Sequence, residues 1–224
     1  MRRFAKQNGL ALFFGAIFLA ALVGQAIAGH ASYNSDQLAH GGQAISLGRY
    51  LTSSDFAVDV LENWQSEYLQ FTLFILATVW LVQRGSPESK ALDRTGTESD
   101  AQQRIGGHAR ADAPRWARLG GLRTRIYSNS LLLVMATIWV LSWLGQSIAG
   151  RVVYNQEQLA HGEKALGWIQ YLGSSDFWDR TLQNWQSEFL AVGSMVVLAI
   201  YLRQRGSPES KPVGAPHTST GVEG

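Results

Sequence analysis

The sequence predicts an all-α membrane protein with four transmembrane helices, formed by a tandem parallel repeat of a two-helix hairpin unit. Three observations support this fold class. One long segment occurs twice, the apolar residues are gathered into blocks, and most basic residues lie outside those blocks. The polar residues between the blocks bring the mean hydropathy to −0.04, so the overall composition conceals the pattern.

The repeat has a constant offset of 121 residues and contains no gap. Between residues 24 and 90, 35 of 67 positions are identical to their counterparts at 145–211. Most of these identities are polar, glycine or aromatic residues, which a shared apolar character does not produce. We therefore interpret the chain as a duplication, and a repeat of this kind sets the architecture of the whole chain.

Each copy contains two apolar stretches that we interpret as membrane helices. Residues 7–29 and 126–150 carry no charge, and each can supply the ~20 residues that cross a bilayer core. The second stretch of each copy is shorter, so its helix must begin earlier, near the capping residues Asp55 and Asp176. The predicted membrane helices cover residues 9–29, 56–84, 127–150 and 177–205.

Glycine and proline indicate where the second helix of each copy ends. Gly85 and Gly206 favour a left-handed turn, and a proline follows each of them two residues later. The first helix of each copy also contains one pair of small residues that are four positions apart. These pairs, Gly24 with Ala28 and Gly145 with Ala149, predict close packing between membrane helices.

The first apolar stretch also resembles a secretory signal peptide. Arg2, Arg3 and Lys6 precede it, and Ala26-Ile27-Ala28 has the small residues of a cleavage site. The repeat argues against removal, because the equivalent segment at 131–149 is internal. We expect the first segment to be retained.

The basic residues predict the orientation in the membrane. Of the 19 Lys and Arg residues, three lie at the N-terminus, nine in the segment 84–125 and three at the C-terminal end. Basic residues are enriched on the cytoplasmic side, so both termini and the linker should face the cytoplasm. The loops at 30–54 and 151–175 should then face outward, as in a bacterial cytoplasmic (inner) membrane protein.

Four regions follow from these features. Residues 1–90 form the first hairpin repeat and residues 126–211 the second. The linker at 91–125 and the tail at 212–224 are polar and are predicted to be disordered.

The repeated motifs resemble a known type of family. They are Asn-Trp-Gln-Ser-Glu, the ending Arg-Gly-Ser-Pro-Glu-Ser-Lys, and a Tyr-Asn…Gln-x-x-His-Gly loop, each present twice. The chain is similar to an uncharacterised bacterial multi-pass membrane-protein family of the domain-of-unknown-function type. The resemblance covers nearly all of residues 9–211 apart from the linker, and it implies no particular activity.

Polar residues near the outer ends of the helices are candidates for a pocket. Asn63 and Glu67 are four apart and share a helix face, as do Asn184 and Glu188, and ionisable groups in membrane helices often have a function. We expect both glutamates on the inward side. The alternative is a polar collar at the membrane surface. The loop candidates are Tyr33, Asn34, Tyr154 and Asn155, for which a simple chain reversal is the alternative.

The histidines His40 and His161 are candidate metal ligands. Imidazole and carboxylate groups from the two copies suit zinc, iron or manganese. Di-metal carboxylate bundles, however, use a Glu-x-x-His spacing within one helix, which is absent here. Solvated or hydrogen-bonded loop histidines are the alternative interpretation.

The sequence contains no cysteine, which excludes disulfides, thiolate metal sites and covalently attached c-type haem. The leading function hypothesis is a non-enzymatic four-helix module with an outward-facing polar pocket, acting as a scaffold, a sensor or a small-solute permeation unit. The alternative is a membrane metal or redox enzyme that uses the paired His and Glu residues. No cofactor is assigned. The expected partners are the lipid bilayer and either further copies of the chain or another membrane protein, but not nucleic acid.

Overall fold

The computed structural model describes residues 2–221, and within this range it contains helices and no strand. Four helices are long, α2 (Gly9–Ala39), α4 (Ser54–Trp80), α7 (Ser130–Ala160) and α9 (Ser175–Tyr201). The short helices are α1 (Arg2–Gln7), α3 (Leu47–Leu51), α5 (Arg115–Arg118), α6 (Gly121–Ser128) and α8 (Trp168–Leu172). One 3₁₀ turn, Gly106–His108, lies in the linker.

Two of the described helices, α2 and α7, are long and apolar enough to cross a membrane. Each has 31 residues, which corresponds to a length of roughly 46 Å. The other two long helices carry acidic residues in their first turns and have more polar first halves. Length and composition therefore identify two candidate spans in the described chain.

The long helices of the two halves have matching bounds. The first and last residues of α7, α8 and α9 follow those of α2, α3 and α4 by 121 positions each. The same offset relates the left-handed glycines of the turns, such as Gly41 at φ 77° and Gly162 at φ 76°. The same local sequence signals thus start and stop the helices in both halves.

The first helix of each half is longer than the sequence suggested. The helix α2 continues ten residues beyond Gly29, so Tyr33 and Asn34 lie inside it and the chain reverses later, at Gly41. The interpretation of Tyr33 and Asn34 as a chain reversal is therefore wrong. No glycine or proline occurs between Gly29 and Gly41, so nothing in this segment interrupts the helix.

The helices α4 and α9 end earlier than predicted. They end at Trp80 and Tyr201, and an extended stretch follows before the turn. Gly85 and Gly206 do adopt the left-handed conformation, with φ of 87° and 83°. They form turns after the extended stretch and do not terminate the helices directly.

The described residues form two compact units. The first unit contains the residues up to Val60 together with Gly145–Trp168, and the second contains Leu61–Leu144 and the residues from Ile169 onward. The division crosses α4 and α7, so each of these helices contributes a part to both units.

A buried tyrosine organises the first unit. Tyr50, on α3, is almost fully buried, and its ring lies 5.8 Å from His30, 5.7 Å from Tyr33 and 5.5 Å from Phe56, between ring centroids. Its hydroxyl lies directly over Gly29 of α2, where any Cβ atom would collide with it. The absence of a side chain at Gly29 therefore allows α3 to pack against α2.

Two asparagines hold the loops that follow α2 and α7, here called the return loops, through hydrogen bonds to the backbone. The Asn34 side chain accepts a hydrogen bond from the Ile45 amide (2.8 Å) and donates one to its carbonyl (3.0 Å). Asn155 makes the same pair of bonds to Leu166, at 2.8 and 3.0 Å. Each asparagine side chain thus bonds both the backbone N–H and the backbone C=O of one loop residue. It takes the place of the hydrogen bonds that a neighbouring strand would otherwise provide.

Gly29 provides a test of this packing. We expect Gly29→Ala to destabilise the protein by about 1–3 kcal/mol, because the added methyl group displaces the Tyr50 hydroxyl. The matched control is Gly24→Ala, five positions earlier on α2, where a Cβ meets no atom within 4 Å. The control should be neutral or slightly stabilising, because alanine has the higher helix propensity. Thermal unfolding of the purified protein in detergent measures both, and equal stabilities would contradict the packing described here.

Candidate functional site: a polar and aromatic cluster on two helices

The second unit has a polar face on α4 that is buried. Gln65, Ser66, Leu69 and Thr72 are almost inaccessible to solvent. Residues 65, 69 and 72 follow the i, i+4, i+7 spacing of one helix face. Three of these four residues are polar. Ser66 and Thr72 donate to carbonyls of their own helix at 2.9 and 2.6 Å, so Gln65 is the one whose side chain is bonded from another helix.

Arg180 of α9 is the centre of the charged part of the cluster. Its guanidinium group contacts the Glu62 carboxylate of α4 at 3.4 Å and the Asp176 carboxylate at 3.3 Å. Asp176 in turn accepts a hydrogen bond of 2.9 Å from the buried Tyr171 hydroxyl. Burial and the Asp176 charge raise the pKa of Tyr171, so the hydroxyl remains a donor.

An amide and an indole form the adjoining uncharged part. The Trp185 indole nitrogen donates a 2.8 Å hydrogen bond to Gln65 Oε1, which joins α9 to α4. Gln65 is completely buried. A second indole, Trp143 of α7, lies beside Trp185 with ring centroids 6.3 Å apart. The rings around Trp143 also include Trp139, Phe177 and Trp178, at 5.9–6.1 Å.

Three buried donors of this cluster have no acceptor among the described residues. They are Gln65 Nε2 and the indole nitrogens of Trp139 and Trp143. Buried N–H groups without partners are costly, at roughly 1–3 kcal/mol each. All three are donors, so the cluster is suited to oxygen acceptors. In chemical terms the described contacts of the cluster hold helices together, and they do not pair a nucleophile with a base.

The polar residues predicted from the sequence occupy different positions. Asn63 and Glu67 are exposed, whereas the sequence predicted that both glutamates, Glu67 and Glu188, lie on the inward side. Asn184 and Glu188 are half-buried, and the Asn184 side chain donates to the Arg180 carbonyl at 2.9 Å. Glu188 lies close enough to Glu67 for their negative charges to repel. Both residues of each predicted pair share a helix face, but it is not the buried one.

The loop candidates belong to the first unit and have structural contacts. Asn34 and Asn155 hold the return loops, and Tyr33 packs beside Tyr50. Tyr154 is half-buried. The structure thus assigns the asparagines a role in fastening the chain, and it does not bring these four residues into one cavity.

His40 lies 3.4 Å from one carboxylate, that of Asp36 on its own helix, and neither histidine belongs to a larger group of possible metal ligands among the described residues. The His40 ring bonds the Asp36 carbonyl (2.9 Å) and the His161 ring bonds the Glu157 carbonyl (2.8 Å), each one turn earlier on its own helix. Both rings are exposed. Residues 2–221 contain no group of three or more His, Asp or Glu side chains with the spacing for a metal ion.

Sequence reasoning missed Glu62, Gln65, Arg180 and Trp185. One available signal was the difference between the two copies. Arg180 stands where the first copy has Asp59, and Glu62 stands where the second copy has Gln183. The second copy thus gains a positive charge at one position, and the first copy has a negative charge at a position three residues further along the equivalent helix. Such differences indicate an ion pair between the two copies.

The repeated Arg-Gly-Ser-Pro-Glu-Ser-Lys motif forms a compact turn in both copies. Ser89 Oγ accepts from the Gln83 amide and Ser210 Oγ accepts from the Gln204 amide, each at 2.9 Å. These serines satisfy a backbone amide just beyond the helix ends, where no helical carbonyl is available. The motif thus stabilises the turn that follows the second helix of each copy.

The final lysine of the second motif also holds the tail. The buried Lys211 ammonium group donates to the carbonyls of Gly85 (2.6 Å), His217 (2.9 Å) and Ser219 (3.3 Å). Burial and the nearby Arg203 charge lower the pKa of Lys211. Lys211 thus links the described part of the tail to the turn at Gly85.

The ion pair between Arg180 and Glu62 is expected to couple the two helices. In a double-mutant cycle with Arg180→Met and Glu62→Gln, we expect a coupling of about 2 kcal/mol, because both side chains are largely shielded from solvent. The control cycle uses the exposed pair Arg110–Asp112, for which about 0.5 kcal/mol or less is expected. Thermal unfolding in detergent supplies the free energies. Couplings of equal size would show that Arg180 is not part of a shielded cluster.

A second prediction concerns the exposed glutamates. The double variant Glu67→Leu with Glu188→Leu should be at least as stable as the parent, because it removes a repulsion and no described hydrogen bond. The control Glu62→Leu, five positions before Glu67 on α4, should destabilise by about 2 kcal/mol, since it removes a partner of Arg180. A larger loss in the double variant than in the control would place Glu67 in a polar interior.

The comparisons with known proteins agree with an uncharacterised family. A family model described as "Domain of unknown function (DUF6766)" matches residues 1–222. No curated protein and no solved structure matches the chain. Because the family model covers almost the whole sequence, the chain belongs to the DUF6766 family, an uncharacterised domain of unknown function.

Proposed function

We propose that this chain is a non-enzymatic module of a bacterial cytoplasmic membrane, in which α2, α4, α7 and α9 cross the bilayer as two parallel hairpin repeats. The observation that carries the proposal is the exposure of α2. No residue of its most apolar 18-residue window is buried within the protein. An apolar helix exposed on all sides needs lipid or a partner around it, because water would have to cover the whole apolar surface.

The polar cluster supports membrane crossing by α4 and α9 as well. Charged side chains inside a bilayer are costly unless they are paired within the protein. Arg180 and Glu62 are paired across the two helices, and Gln65 is buried against Trp185. These pairings offset part of the cost of placing the polar first halves of the two helices in an apolar environment.

The charge distribution supports the orientation. The two ends of the chain and the segment 84–125 together carry 15 of the 19 Lys and Arg residues, and the loops at 30–54 and 151–175 carry three. Both termini and the linker are then cytoplasmic. The matching helix bounds of the two halves support a parallel relation of the hairpins, since each unit enters and leaves on the same side.

Among the possible roles, the contacts favour a scaffold or a ligand sensor over a permeation unit. The charged and amide groups of α4 and α9 bond to one another, and a permeation path would need such groups to face a continuous aqueous space. The metal or redox enzyme is the second candidate. The described contacts give it little support, because His40 and His161 are exposed and bonded to their own helices.

Metal analysis separates the two candidates. The proposed module should contain no stoichiometric zinc, iron or manganese after purification without chelators. A stoichiometric metal that is lost in the variant with both His40→Ala and His161→Ala would favour the enzyme and contradict the module.

The membrane orientation can be tested with single cysteines, because the natural chain has none. Cysteines at Gly48 and Gly167 should react with a membrane-impermeant maleimide in intact cells, and a cysteine at Gly107 should react only after lysis. Gly48 and Gly107 are suitable sites because an added Cβ meets open space. Labelling of position 107 in intact cells would refute the proposed topology.

A further inference from the structure

A groove between α4 and α9 lies in the second unit, away from the polar cluster. Its volume is about 460 Å³, which is within the ~300–1,000 Å³ typical of small-molecule sites. Phe71 and Phe74 line it from α4, and Val192 and Met195 line it from α9. The walls are therefore mainly apolar, and they include flexible and aromatic side chains that adapt to an alkyl chain.

Two carboxylates also line this apolar groove. They are Glu88 and Glu209, from the turn motifs that follow α4 and α9. Pro87 and Ser89, on either side of Glu88, are buried, whereas Glu209 is exposed. A mainly apolar groove that two carboxylates line is complementary to a molecule with an alkyl chain and a cationic head.

The groove is built from equivalent positions of the two copies. Glu88 and Glu209 differ by 121 in number, and so do Phe71 and Val192, and Phe74 and Met195. Duplication thus brings two copies of one acidic residue to a single site. A primary ammonium group has three donors, so it can bond both carboxylates at once.

We propose that this groove binds a membrane lipid whose headgroup carries an ammonium group, with one acyl chain along the apolar walls and the ammonium between Glu88 and Glu209. This proposal rests on the membrane location argued above, since a lipid occupant requires that α4 and α9 face the bilayer. Membrane lipid is the occupant to which the charge and the apolar walls together point. An anionic lipid would place negative charge beside the two carboxylates and is disfavoured.

The experiment uses the full chain, purified in detergent, stripped of lipid and observed by native mass spectrometry. Phosphatidylethanolamine and phosphatidylglycerol with identical acyl chains are added in equal amounts. We expect the ethanolamine lipid to bind about tenfold more tightly, the order given by one charge-assisted hydrogen bond. Glu88→Gln with Glu209→Gln should abolish this preference.

Matched controls separate charge from shape. Glu157→Gln with Glu163→Gln changes the net charge equally at exposed positions outside the groove and should keep the preference. Ala191→Trp fills the groove and should reduce the binding of both lipids about tenfold or more, whereas Leu190→Trp, on the exposed side of α9, should not. These tryptophan variants test the acyl-chain site without altering charge.

Equal binding of the two lipids would overturn the proposal, as would a preference that survives in the Glu88→Gln, Glu209→Gln variant. A preference lost equally in the Glu157→Gln, Glu163→Gln control would also overturn it, because net charge alone would then explain the effect. Cysteine labelling at positions 48, 107 and 167 on the same protein tests the membrane orientation separately. Correct labelling without a lipid preference removes the lipid site and leaves the membrane module intact.

Discussion

Every polar side chain on a helix in apolar surroundings must find its partner within the protein, and this constraint shapes the second unit. Arg180 meets it through Glu62 of α4 and Asp176 of its own helix, and Gln65 meets it in part, through the bond that its oxygen accepts from Trp185. Two of these three partners come from the other helix, so these bonds also fix how α4 and α9 pack. The surrounding indole rings supply apolar contact and keep water away from the charges.

Duplication explains why some contacts are repeated and others occur once. The asparagine bonds to the return loops and the serine bonds in the turn motif occur in both copies with nearly equal distances. They lie within one hairpin and need no partner from the other. The pair Arg180–Glu62 joins the copies and depends on residues that differ between them. The hydrogen bonds within each hairpin are thus the same in both copies, whereas the ion pair between the copies uses residues that differ between them.

The two ends of the α4 and α9 pair have different chemical characters. Near the starts of the helices the polar groups bond to one another and leave three N–H donors in excess. Near the turn motifs the helices separate around an apolar groove that two acidic residues line. These two ends are consistent with the proposed scaffold or sensor and give less support to a conduit.

The sequence by itself located the four long helices, because apolar blocks, capping residues and turn glycines are local signals. It also determined the repeat, whose 121-residue offset recurs in the helix bounds. The tertiary structure decided which helix face is buried. Asn63 with Glu67 has a four-residue spacing like that of the buried Gln65 with Leu69, so periodicity could not choose between the two faces. Only the positions of Arg180 and Trp185 make the choice, because these partners come from a helix more than a hundred residues away.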